Sequence, residues 1–194
     1  MSDTALVSGS TNNIGKSIAE RLAADGYHVI VTSRHGDEAE AVAADLPTPG
    51  TGYELDFADP SQVEGLFEHI DAEFDGLDVV VNSLATTPRR SILECDTDTW
   101  DRTMATNLRS YFLTTREAGR RMAESGGGNI VNITISRTTG TSGRVAYSVS
   151  KHAIKMLTMC AATDLAPHGV RVNAVGSGLI GTPVGQRDMT GRDH

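Results

Sequence analysis

Short runs of β-branched and aliphatic residues alternate along the chain with longer stretches whose apolar positions recur every three or four residues. Residues 5–8, 28–33, 52–56, 78–82, 129–133 and 170–175 read as strands. Residues 14–24, 37–44, 60–74, 99–123 and 146–165 read as amphipathic helices between them. Such alternation predicts a parallel sheet with helices on both faces. Val79-Val80-Val81, apolar without a break, fits a strand buried on both sides. No repeat or linker interrupts the pattern. The expectation is one α/β domain over residues 1–183, a doubly wound parallel sheet of six strands, followed by a polar tail over 184–194. In such a sheet chemistry sits beyond the carboxyl ends of the strands, near the point where strand order reverses. The residues after Val7, Val31, Val81, Ile133 and Val175 are therefore the ones to inspect.

Composition narrows the classes. A length of 194 residues suits one domain with a sizeable core. No apolar run approaches a membrane span and the first residues lack a signal pattern, so a cytoplasmic protein without a membrane partner is expected. The net charge of −8, with no basic cluster, argues against nucleic acid as a partner. Cys95 and Cys160 are isolated and the six histidines are scattered, so neither a disulfide framework nor a metal site is indicated.

Three stretches carry chemistry. After the first strand, Gly9, Ser10, Thr11, Asn12, Asn13, Ile14 and Gly15 lead straight into a helix. Small residues let the backbone approach a pyrophosphate, and a helix N-terminus offers unpaired N–H groups to it. The second strand ends in Ser33-Arg34. An acidic side chain there would read the free ribose hydroxyls of NAD, whereas an arginine suits the 2′-phosphate of NADP. NADP(H) is thus the favoured cofactor and NAD(H) the second candidate. Finally, Tyr147 and Lys151 stand one helical turn apart on one face. An ammonium beside a phenol favours the phenolate, making a proton donor and acceptor usable for carbonyl–alcohol interconversion.

The glycine loop, this Tyr-x-x-x-Lys spacing, and its place between the fifth and sixth strands together resemble the short-chain dehydrogenase/reductase family. The nearest set by look is that of the 3-oxoacyl-carrier-protein reductases. The resemblance runs from the first residues to about Pro183. It implies a ketone or secondary-alcohol substrate, Tyr147 as general acid and base, and Lys151 also holding the nicotinamide ribose. It implies that Asn107 serves a proton relay and that Asp56, Asn82, Ala85, Ile180 and Thr182 contact the cofactor. Asn13 stands where the family loop has its middle glycine, and asparagine tolerates a positive φ well.

The orienting hydroxyl is left open. Thr134 has the family separation from Tyr147, Ser136 has the family residue type, and alignment on the strand puts Ile135 in that place. Ser136 is slightly favoured. The family's helix pair, here 99–123 and 146–165, implies a homodimer, with a tetramer open because the seventh strand and lid helices are not in this sequence. The chain is expected to be either a fragment or a short member. A catalytically impaired nucleotide-binding or scaffold protein is the competing class, raised by Asn13, Ser83, Ala85 and Ser177.

Overall fold

The computed structural model describes residues 3–136, 141–178 and 180. Six strands, β1 (Thr4–Ser8), β2 (His28–Ser33), β3 (Thr51–Glu54), β4 (Val79–Asn82), β5 (Gly128–Ile135) and β6 (Val170–Ser177), form one sheet. All pair in parallel, in the order β3-β2-β1-β4-β5-β6. The connections are α1 (Asn13–Ala24), α2 (Gly36–Ala44), α3 (Pro60–Glu73), α4 (Thr97–Met104), α5 (Ser110–Ser125) and α6 (Val145–Leu165). The doubly wound parallel sheet expected from the pattern is the fold observed. Among the described residues β6 pairs on one side only, with β5.

Period-two alternation within each buried strand feeds two separate cores. On one face Ile30, Leu6, Val80, Ile130 and Val172 lie in register across five strands and pack against α3, α5 and α6. Val31, Val7 and Val81, one residue further along, point to the other face beneath α1 and α2. Because that second face is met by alanines (Ala19, Ala23, Ala39 and Ala43), the two helices come close to the sheet. Local signals fix the helix starts: Asp59 accepts from the Ser61 N–H with Pro60 at the first position, and Asp96 accepts from the Thr99 N–H.

One element departs from the expected pattern. Instead of a single helix over 99–123, α4 and α5 are joined by a π-helical turn at Ala105–Arg109. The extra residue in that turn lets the buried Asn107 reach backward to the loop after β4 and sideways to α6.

At the carboxyl end of the sheet the rows become polar. Asn82 Nδ2 donates to Asn132 Oδ1 (2.9 Å), and Asn132 Nδ2 donates to Thr158 Oγ1 (3.0 Å). Thr114 Oγ donates to Asn82 Oδ1 (2.7 Å). This buried chain ties β4, β5, α5 and α6 into one block below the crevice between β1 and β4, where strand order reverses. Replacing Asn132 by alanine strands the Asn82 amide, so urea unfolding should show a loss of roughly 1–3 kcal/mol. Asn173→Ala, at an exposed position of β6, should stay within about 0.5 kcal/mol.

Candidate active site

The reversal point opens into a cleft of about 880 Å³. Its floor is the turn after β1. Ser10 is fully buried; its hydroxyl donates to the Val7 carbonyl (2.7 Å) and accepts from the Thr32 N–H (2.8 Å), pinning the turn to β2. Gly9 takes φ +68° and Asn13 φ +50°, so asparagine holds the left-handed position that the family gives to glycine. Its amide bonds the Asn12 side chain (2.8 Å). A Cβ on Gly15 would lie 2.1 Å from the Gly9 carbonyl oxygen, so only glycine fits there. No side chain caps the start of α1, which leaves its first N–H groups directed at the cleft beside Gly9, Thr11, Ile14 and Gly15.

At the far end of the cleft, Arg34 is exposed and forms no ion pair among the described residues. Ser33 is turned aside: its hydroxyl donates to Glu38 (3.2 Å), which also lines the cleft. Asp56 lines the wall and accepts from the Ala58 N–H (2.9 Å), while helix capping falls to Asp59. Ala85 lines the cleft, but Asn82 lies beneath it, spent on the polar chain described above. Ser10 is likewise held in the fold. Ile180 lines the opposite rim; Thr182 lies outside the described residues.

The reacting end is built by α5, α6 and the ends of β4 and β5. Tyr147 lines the cleft and Lys151 lies beneath it, only 3% exposed. The Lys151 ammonium donates to the Ile133 carbonyl (2.9 Å) and to the Tyr111 hydroxyl (3.0 Å). Burial pushes its pKa down to about 7. The Arg144 guanidinium sits 6.0 Å from the centre of the Tyr147 ring, a cation beside that aromatic face. Asn107 Oδ1 accepts from the Thr86 N–H (2.7 Å), and its Nδ2 donates to the Thr86 carbonyl (2.8 Å) and to Ser150 Oγ (3.1 Å).

The two candidate hydroxyls separate. Thr134 is buried with its hydroxyl on the Lys151 main-chain oxygen, so it serves the β5–α6 contact. Ser136 is exposed beyond the strand, and Ile135 between them faces the cleft, as alignment on the strand itself places it. Tyr111 and Arg144 escaped the sequence reading. Tyr111 lies within the apolar run Tyr111-Phe112-Leu113 and reads as core; its only signal was the one-turn spacing from Asn107. Among the described residues, no group of three or more metal-ligating side chains occurs, and no helix is long and apolar enough to cross a membrane.

The chain is similar to known proteins in sequence and fold. The model for the short chain dehydrogenase family matches residues 3–193. The 3-oxoacyl-acyl-carrier-protein reductase of Aquifex aeolicus (strain VF5) is 36% identical over 190 residues, covering 95% of this chain and 75% of its own. The D-threitol dehydrogenase of Mycolicibacterium smegmatis is 32% identical over 191 residues, covering 96% and 74% respectively. A gluconate 5-dehydrogenase from Burkholderia cenocepacia J2315, solved in complex with NADP and tartrate, superposes with a TM-score of 0.91. It is 25% identical, and the match covers 98% of this chain and 76% of that one.

The left-handed turn gives a direct check. Asn13→Gly should leave thermal stability unchanged or slightly higher, since glycine adopts this φ without strain. Asn13→Val should cost about 1–2 kcal/mol in chemical unfolding.

Proposed function

The chain belongs to the short-chain dehydrogenase family, and on that footing we propose that it is an NADP(H)-dependent oxidoreductase interconverting a ketone and a secondary alcohol. The observation that carries this reading is the buried Lys151 ammonium one turn from Tyr147, at the end of a cleft floored by an uncapped helix N-terminus.

The cleft fits a dinucleotide. The loop from Gly9 to Gly15 is small enough for a pyrophosphate, and the missing Cβ of Gly15 keeps the turn closed. Arg34 would pair with a 2′-phosphate, Asp56 and Ala85 would flank the adenine and ribose, and Lys151 would reach the nicotinamide ribose. When bound, the cofactor supplies or accepts the hydride. Tyr147 then gives its hydroxyl proton to the carbonyl oxygen in reduction and takes it back in oxidation. Lys151 and Arg144 lower the cost of the phenolate that reduction leaves. Asn107 anchors the proton path toward Lys151; its side chain is engaged with Thr86 and Ser150, so it acts by holding those walls in place. With Thr134 committed to α6, Ser136 is the hydroxyl proposed to orient the substrate oxygen.

Glu38 favours a second cofactor reading, because a carboxylate at this end of the cleft suits the two ribose hydroxyls of NAD(H). The relatives are named for different substrates, a 3-oxoacyl-acyl-carrier-protein and D-threitol among them. A scaffold without turnover would have no use for a lysine buried beside a cleft tyrosine. The cytoplasm is the compartment proposed for this activity.

Two outcomes test this reading. Arg34→Ala should weaken NADP(H) by tens-fold, the loss of a charge-assisted contact of about 1.5–3 kcal/mol, and leave NAD(H) nearly unchanged in fluorescence titration. Equal losses would reverse the cofactor assignment. We also propose a homodimer through α5 and α6, which expose Phe112, Val149, Met156 and Met159 at 45%, 44%, 59% and 62%. Light scattering should give at least a dimer mass, and Met156→Glu with Met159→Glu should shift it toward the monomer.

A further inference from the structure

Tyr111 touches the site's cation yet has no part in the chemistry described so far. It stands on α5, one turn after Asn107, and is 1% exposed. Its hydroxyl lies 2.9 Å from the Leu84 carbonyl, 3.2 Å from the Ile133 carbonyl and 3.0 Å from the Lys151 ammonium. Carbonyl oxygens only accept, so the single hydroxyl proton must go to one of them. The lone pairs are left for the ammonium, and Tyr111 is necessarily an acceptor toward a buried positive charge.

We propose that Tyr111 is a positioning residue, whose hydroxyl anchors the Lys151 ammonium at the ends of β4 and β5 and keeps it charged beside Tyr147. The proposal rests on the oxidoreductase reading for its purpose, but the anchoring itself is a property of the protein alone.

The donor count supports it. An ammonium has three N–H groups. Two are satisfied at 2.9 Å by Ile133 and at 3.0 Å by Tyr111, whereas Leu84 at 3.4 Å is too distant to hold the third firmly. One donor is therefore available to turn toward the cleft, while two fix the lysine's place. The same geometry excludes Tyr111 as a second acid. Burial, with Tyr147 nearby, pushes its phenol well above the ordinary tyrosine value, so it stays neutral.

Register makes the contact specific. Asn107 on the π-helical turn meets Ser150 of α6, and Tyr111 on α5 meets Lys151 of α6. Among the described residues, the groups within hydrogen-bond reach of the ammonium are Tyr111 from α5 and the uncharged carbonyls of Leu84 and Ile133. Burial alone depresses the lysine to about 7, so its charge at neutral pH depends on these acceptors. Phenylalanine would fill the same space and delete only the hydroxyl.

The chain has three lysines, Lys16, Lys151 and Lys155, which makes the test direct. Uniform lysine ¹⁵Nζ labelling gives few signals, with Lys151 assigned as the one lost in Lys151→Met. In Tyr111→Phe without cofactor, the Lys151 titration midpoint should fall by roughly one pH unit, the size of a lost hydrogen bond to a charge. The Lys16 and Lys155 midpoints should not move. In alcohol oxidation the acid limb of the kcat profile should move to higher pH, because a less charged lysine lets the Tyr147 phenol drift upward. An unmoved Lys151 midpoint, or a kcat loss equal at every pH, overturns the proposal.

If Tyr111→Phe does not fold, ¹³Cζ-tyrosine labelling of the wild type decides. The Tyr111 signal should shift in the same step as Lys151 loses its proton, and a Tyr111 signal blind to that step overturns the proposal. The lysine titration needs no turnover, so failure of the oxidoreductase reading would show separately.

Discussion

The buried Lys151 ammonium organises the reacting half of this molecule. The Lys151 ammonium is withdrawn from water into a site where no carboxylate pairs with it among the described residues, and an uncompensated charge there costs several kcal/mol. It is tolerated because dipoles replace the water: a β5 carbonyl, a tyrosine hydroxyl, and more distantly a carbonyl after β4. Meeting that demand requires β4, β5, α5 and α6 to end at one place. The polar chain through Asn82, Asn132, Thr114 and Thr158 locks those four elements together just below it. The compensation is incomplete, and this is the chemically useful part. Burial holds the pKa of the lysine down at about 7.

The other half of the cleft obeys a simpler rule, that backbone must come close to backbone. Gly15 has no room for a Cβ, Ser10 fastens the turn to β2, and Asn13 supplies the positive φ. These features leave the N–H groups at the start of α1 open to an anion. The two halves meet at the strand-order reversal, so a bound dinucleotide would lie with its phosphates over α1 and its reactive ring beside Tyr147.

Periodicity made the fold legible in the sequence. Every strand and the surfaces of α1, α2, α3 and α6 follow from alternation or from apolar recurrence, and their bounds differ from the expected ones by two residues or fewer. The π-helical turn was not legible, because Thr106-Asn107-Leu108 keeps a helical pattern and the extra residue is forced by contacts with Thr86 and Ser150. In the site, Tyr147, Lys151, Arg34 and the glycine loop announce themselves by residue type and spacing. Tyr111 does not, since an aromatic in an apolar run reads as core until its hydroxyl is seen against a cation. Asn82 and Thr134 show the reverse case: their polar side chains suggest a ligand, yet both are consumed by neighbouring elements. The Ile133 carbonyl, which holds the lysine as closely as the Tyr111 hydroxyl does, has no signature in a sequence at all.

In the proposed chemistry Tyr147 transfers the proton, and the fold around Lys151 makes this feasible near neutral pH. Tyr147→Phe removes one hydroxyl from the cleft and leaves the lysine's anchors intact. Steady-state turnover of a reducible ketone with NADPH, measured beside dinucleotide binding by fluorescence, tests it most directly. The kcat of this variant should fall by about 100-fold or more, the range of general acid–base catalysis, with binding largely retained. Turnover at the wild-type level in the folded variant would contradict it.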